Sequence, residues 1–238
     1  MKWTVQSNCP REEAMPNLND QLSATKAAAA GRLPAEVAAV FAAQQAGLRS
    51  LAAPVVPSGT ELPDATLLTA AGGTTTLAQS LGGAPGVLVF YRGGWCPYCN
   101  LTLRVYQAEL LPRLKDLGVQ MVAVSPQRPD ESLTTKEKAE LAFEVVSDPG
   151  NALAGALGIV DDGRQEVRAA QAALGLDLAE VNEGGDVRLP MPAVVVVDAD
   201  RRARWADVHP DYTTRTEVAD VVDAVLGTVT GGPGQPTQ

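Results

Sequence analysis

The 238-residue chain is 45% hydrophobic, enough for one substantial core with an appendage, and carries a formal net charge of -9. That acidity, with no basic run anywhere, argues against nucleic acid and anionic membrane surfaces as partners. No apolar stretch approaches a membrane span and the first residues lack the apolar segment of a secretory signal, so the chain reads as soluble and cytoplasmic.

From the N-terminus, a polar, proline-containing leader holds Cys9, read as a free thiol. Two Ala- and Leu-rich helices are predicted between residues 18 and 53, the second opening on Pro34. Their apolar stripes are narrow and need a larger body to pack on. Residues 1–56 are thus a leader and helical extension. A Pro-punctuated linker at 53–63 leads to a short hairpin about Gly72 and Gly73 and then a helical turn.

The main domain, residues 57–228, then alternates. Residues 87–91 are a continuous apolar strand, 98–115 a helix, 119–124 a second buried strand and 130–140 a polar helix. A short strand at 143–146 and a helix at 151–157 follow. Strands without polar alternation, separated by helices, predict parallel βαβ units covered on both faces. Residues 158–189 form an insert whose Val167, Ala170 and Leu174 mark a helix. "MPAVVVVDADRRARWADVHP" predicts an antiparallel hairpin; a last helix at 216–226 precedes a disordered tail, 229–238. A βαβ unit followed by a β-hairpin and a helix is the thioredoxin-like α/β fold, and Cys-x-x-Cys after a strand belongs to that context.

That motif is Cys96-Pro97-Tyr98-Cys99. Chemistry in such sheets collects at the carboxyl ends of the parallel strands, and Cys96 falls just past the first of them, at a predicted helix start. Unpaired N–H groups and the helix dipole there favour a thiolate, so Cys96 is expected to be exposed, with a lowered pKa, and to attack. Arg92 adds positive charge. Cys99, one turn on, suits a resolving partner. A zinc site would have to recruit Cys9 and the single histidine, His209, from the two ends of the chain; an inert core pair would not sit in a loop of glycines flanked by Trp95.

"FYRGGWCPYCN", "VSPQ", "SDPGNALAGALG" and "PMPAVVVVDADRRARWADVHPDYT" resemble the peroxiredoxin-like branch of the AhpC/TSA family, over about residues 57–226. The resemblance implies thiol-dependent reduction of hydrogen peroxide or organic hydroperoxides through a Cys96–Cys99 dithiol/disulfide cycle. It implies an external thiol reductant of thioredoxin or glutathione type, a homodimer as a candidate assembly, and no cofactor. The chain departs from the typical Pro-x-x-x-Thr-x-x-Cys loop. Val89 and Gly93 stand at the Pro and Thr places, and Pro192 where typical members carry an arginine. A peroxidase slower than typical members is expected. Trp95 before the first cysteine and Met191-Pro192, predicted to be a cis peptide, are thioredoxin-like, while Phe90 replaces the buried thioredoxin aspartate. Disulfide exchange on protein or glutathione disulfides is therefore an alternative, and a non-catalytic binding module a further one.

Of the remaining residues, His209 is a candidate proton carrier, delivered with Asp211 and Tyr212 to the edge of the dithiol by the second hairpin strand, or else an ordinary surface histidine. Ser125 and Asp148 end neighbouring strands on the same edge as pocket or turn residues. Trp205 reads as packing, and the 158–189 insert as either a cover for the dithiol or an ornament.

Overall fold

The computed structural model describes residues 16–129 and 141–230. At its centre lies β3 (Gly86–Phe90), whose five residues are all buried. The chain reaches it through the hairpin β1 (Thr66–Thr69) and β2 (Thr74–Thr76). Beyond it come β4 (Gln120–Ser125), β5 (Glu144–Ser147), β6 (Val160–Asp161), β7 (Leu189–Pro190), β8 (Ala193–Val197) and β9 (Ala203–Val208). Seven of these form one sheet in the order β2-β1-β5-β4-β3-β8-β9, and β6 pairs with β7 apart from it. The β3–β4 and β4–β5 pairs are parallel; β3–β8 and β8–β9 are antiparallel. This is the thioredoxin-like arrangement, with the β1–β2 hairpin joined antiparallel to β5.

The uninterrupted apolar runs have the cause inferred from sequence: successive residues face opposite sides, and both sides are covered. Val87, Val89 and Tyr91 face one way, with Met121, Ala123, Val194 and Val196. On that side pack α1 (Leu18–Ala30) through Leu18 and Leu22, α4 (Pro97–Val105) through Leu103, and α9 (Val218–Thr230) through Val221 and Val225. Leu88, Phe90, Val122, Val124 and Val195 face the other way, against α3 (Leu77–Leu81) and α6 (Ala152–Ala156).

The N-terminal helices belong to this body. The Glu217 carboxylate accepts the N–H groups of Leu18 (3.0 Å) and Asn19 (2.9 Å), satisfying two of the donors that open α1. The second helix, α2 (Ala35–Arg49), begins after Pro34 and lies beside α7 (Gln165–Ala173) of the insert, which the short α8 (Leu178–Val181) follows.

Four expectations need adjustment. The helix over 98–115 is interrupted by a π turn at Tyr106–Leu110, just ahead of Pro112, before it resumes as α5 (Leu111–Asp116). The stretch 53–63 is no free linker. Leu62 is fully buried and its N–H donates to the carbonyl of Arg201 (2.9 Å), tying the segment to the β8–β9 turn. Helix α9 extends through Thr230, beyond the sequence limit of 226. The Met191–Pro192 peptide is not cis: no cis peptide occurs among the described residues. Cys9, the polar helix at 130–140 and the tail beyond 230 lie outside the described residues.

Candidate active site

The dithiol loop is shaped by its glycines and held from β4's side. After β3, the Tyr91 N–H donates to Val124 (3.0 Å), and the chain then turns so that the Cys96 N–H donates to the carbonyl of Gly93 (3.1 Å). Gly93 has φ 148°, and a Cβ there would run into the indole of Trp95. The threonine of typical relatives therefore has no room at this position. The side-chain oxygen Oε1 of Gln127 accepts the Gly94 N–H (2.5 Å), and the Asn100 side-chain amide donates to the Gly94 carbonyl (2.7 Å). Pro97, fixed near helical φ and needing no N–H partner, starts α4. Cys96 is its N-cap residue and Cys99 lies within its first turn.

Both cysteines are free thiols, and both are buried, at 1% and 0% exposure. The exposed, low-pKa Cys96 inferred from sequence is corrected here. Cys96 donates its hydrogen to Cys99; that bond, and then burial, push its pKa well above the ordinary thiol range, against the charges of Arg92 and Arg215. Burial is also the largest influence on Cys99 and opposes its ionisation. The bond from Cys96, the Arg215 charge, and the backbone N–H and charge of Arg92 outweigh it and bring Cys99 down to about 5. These influences favour the proton on Cys96 and the negative charge on Cys99, against the expectation from the helix start.

Arg92 is buried, with its guanidinium stacked 4.1 Å from the centroid of Tyr212 and 5.1 Å from that of Trp95. Tyr98 and Tyr212 pair with ring centroids 6.1 Å apart. Burial raises Tyr98 to about 12, so it stays a neutral phenol beside the thiols.

Cys96, Trp95, Pro97, Tyr98 and Tyr212 line a cavity of about 670 Å³. Its other walls come from the N-terminal helices and the insert. The N-terminal helical segment supplies Leu33, Phe41 and Ala42, and the insert supplies Leu174 and Leu176. Gln45 of α2 donates to the Tyr212 hydroxyl (3.2 Å), which ties this wall to the site. The insert covers the dithiol, as one of its two readings held. Lys26 and Arg92 are the charged residues in the lining, and no acidic residue is among them.

The other expected residues are placed as follows. Met191 and Pro192 do not line this cavity. The Met191 N–H donates to Ile159 (2.7 Å), and the Pro192 carbonyl accepts the N–H of His209 (2.8 Å). With a trans peptide at this point, the thioredoxin-type groove loses its support. His209 does not serve the dithiol either. Its Nδ1 faces the Thr214 hydroxyl (2.9 Å), and its Nε2 faces the Asp207 carboxylate (3.0 Å) and the Thr216 hydroxyl (3.3 Å). Asp207 is held below the usual carboxylate range chiefly by that histidine. Asp148 caps α6 through the N–H groups of Leu153 and Ala154, the turn role foreseen for it. Trp205 packs at the edge of the core.

Sequence reading missed Arg215. Its Nη2 lies 3.2 Å from the Cys99 sulfur, while Nη1 donates to the carbonyls of Tyr212 (2.6 Å) and Thr214 (2.5 Å). No spacing rule marks it; an arginine between threonines in "YTTRTEV" reads as a surface turn.

Residues 58–206 match the AhpC/TSA family. No curated protein is a significant match. Among solved structures, the fold resembles peroxiredoxin 6 of Arenicola marina (20% identity, TM-score 0.55, covering 76% of this chain and 81% of that one). It also resembles the peroxidoxin BcpB of Mycobacterium tuberculosis (18% identity, TM-score 0.54, 74% and 97% covered). The bacterioferritin comigratory protein of Xanthomonas campestris is similar too (21% identity, TM-score 0.51, 73% and 98% covered), and its structural study concerns alkyl peroxide reduction.

Proposed function

The chain belongs to the AhpC/TSA family and is a peroxiredoxin-like thiol oxidoreductase; from that premise we propose that it reduces organic hydroperoxides with Cys96 as the attacking and Cys99 as the resolving sulfur. The observation that carries this reading is the position of Cys96 at the wall of a largely apolar cavity, with Cys99 directly behind it. A volume of about 670 Å³ falls in the range of small-molecule sites and suits a hydroperoxide with an apolar body. A folded protein disulfide would have to reach a sulfur that is 1% exposed beneath helices of the extension and the insert.

The chemistry balances within the pair. Cys96 passes its proton to Cys99, and its sulfur takes the terminal peroxide oxygen as the O–O bond breaks. The departing alkoxide takes the proton from Cys99 and leaves as an alcohol, and Cys96 is now a sulfenic acid. The Cys99 thiolate attacks the Cys96 sulfur and expels hydroxide, which solvent protonates. Two electrons of the dithiol have reduced the peroxide, and an external thiol reductant restores the pair. Arg92, whose charge acts on both sulfurs, stands in for the donors that typical members supply from the threonine and arginine positions. Each missing oriented donor costs a factor of about a hundred, so the rate should fall below that of typical members.

The test is a rapid-mixing comparison of hydrogen peroxide, cumene hydroperoxide and glutathione disulfide, followed by the fluorescence of Trp95. Cumene hydroperoxide should react fastest, and Cys96→Ser should abolish the signal. Cys99→Ser removes the group that takes the Cys96 proton, so it should slow the first step without abolishing it, and the sulfenic acid should accumulate because nothing resolves it. Peroxide oxidation no faster than that of a small free thiol, alongside rapid exchange with the disulfide, would reject the peroxidase assignment of this pair.

A further inference from the structure

Buried charge around the dithiol is unbalanced. Arg215 is 5% exposed and Arg92 is 7% exposed, yet among the described residues neither guanidinium has a carboxylate within 4.0 Å. A buried cation without a counter-ion is costly, and proteins meet that cost with a nearby anion. The ionisable group that Arg215 touches is the Cys99 sulfur, 3.2 Å from Nη2.

The arginine is held for that contact. Its Nη1 is fixed by the carbonyls of Tyr212 and Thr214. Its own backbone is clamped by Asn19 of α1, whose side chain accepts the Arg215 N–H (3.0 Å) and donates to the Arg215 carbonyl (2.8 Å). The guanidinium therefore cannot swing toward Cys96 without giving up the two carbonyls that hold Nη1. Among the described residues no guanidinium donates to the Cys96 sulfur in this way; the bond it makes is to Cys99.

We propose that Arg215 is a positioning residue for the second half of the reaction, holding Cys99 as the thiolate in the resting dithiol so that the resolving sulfur is ionised before any peroxide arrives. This rests on the assignment of Cys96 as the attacking sulfur. Beside burial, the largest influences on Cys99 are Cys96, Arg215 and Arg92, with the phenol of Tyr91 alongside. A resolving group that carries its charge at rest needs no base, so disulfide formation should not wait for deprotonation.

Ionisation is read first, without turnover, in a Cys9→Ser background by thiolate absorbance near 240 nm. With Cys96→Ser added, Cys99 alone should titrate below pH 7; with Cys99→Ser instead, Cys96 alone should titrate above it. Arg215→Gln should move the Cys99 transition above pH 7, and Arg215→Lys should bring it back part of the way. The second reading is the pH dependence of the peroxide-independent resolving step in single turnover. It should be flat from pH 6 to 8 in the native protein. It should rise about tenfold per pH unit in Arg215→Gln, as expected when a protonated thiol must first ionise.

The inference is overturned if Cys96 titrates below Cys99, or if the native resolving step itself rises with pH across this range. It is also overturned if Arg215→Gln slows the first attack and leaves the resolving step flat, since the arginine would then serve the attacking sulfur. Should Arg215→Gln not fold, the native pH profile and the two single-cysteine titrations still decide. A protein that titrates as described but consumes no peroxide would fail the peroxidase assignment while leaving the Arg215–Cys99 contact intact.

Discussion

The two faces of the central sheet are made by the same strands and bury opposite kinds of matter. Leu88, Phe90, Val122, Val124, Val195 and Val197 point to a face closed by Leu62, Leu67, Leu77, Leu81 and Leu153. Every one of these side chains is hydrocarbon. The alternate residues of those strands point to a face that holds Tyr91, Tyr98, Tyr106 and Tyr212 with Cys96 and Cys99. Arg92 and Arg215 are buried beside that dithiol. Hydrocarbon packing is non-directional and tolerant of exchange at constant volume. Buried cations and a shared thiol proton depend on each donor being where it is. One face therefore carries stability, and the other carries chemistry at some cost to stability.

Three substitutions probe that division, in decreasing order of effect. Gly93→Thr installs the residue that typical relatives carry, and by sequence comparison should help. The structure gives the opposite expectation, because the new side chain displaces Trp95 and with it the wall beside Cys96. Misplacement of a reacting group by about 1 Å can cost about a hundredfold, so the first peroxide step should fall by that order, with a changed Trp95 emission in the resting protein. An unchanged rate would mean that the loop tolerates the clash and that the glycine is dispensable.

Leu88→Ala should act on the other face only. Leu88 is fully buried among hydrocarbon, and truncations of this kind cost about 2–5 kcal/mol. The urea midpoint should drop accordingly, while the peroxide rate per folded molecule stays at the native value. A fall in that rate at full folding would show that the two faces are coupled through β3.

The smallest effect is expected from His209→Ala. It removes the ring that joins Asp207, Thr214 and Thr216, at about 1 kcal/mol for bonds of this part-buried kind. The pH profile of peroxide turnover should be unaltered. A lost limb near the histidine range would restore His209 to the proton relay inferred for it from sequence.

The strand at β3, the βαβ unit, the hairpin of β8 and β9 and the dithiol at the head of α4 were all legible in the chain, because each leaves a local mark. An uninterrupted apolar run is long enough to be recognised without its neighbours, and Cys-Pro-Tyr-Cys after a strand end is a compact motif. The hairpin about Gly72 and Gly73 was legible for the same reason. The π turn was not, since Tyr106–Leu110 has no distinguishing pattern. Nor was the trans peptide before Pro192, which neighbouring strands settle rather than the Met-Pro pair.

The amino-acid sequence by itself determined the fold class, the family and the candidate dithiol, since local propensity and a short motif suffice for these. Tertiary structure decided which sulfur a buried arginine touches and what lines the space in front of Cys96. Charge placement depends on Arg215, which is clamped by Asn19 from 196 positions away. The cavity wall is assembled from the N-terminal helices and the 158–189 insert, segments that share no pattern with the motif they cover. Ionisation and access are set by distances through space, and a single sequence records only distances along the chain.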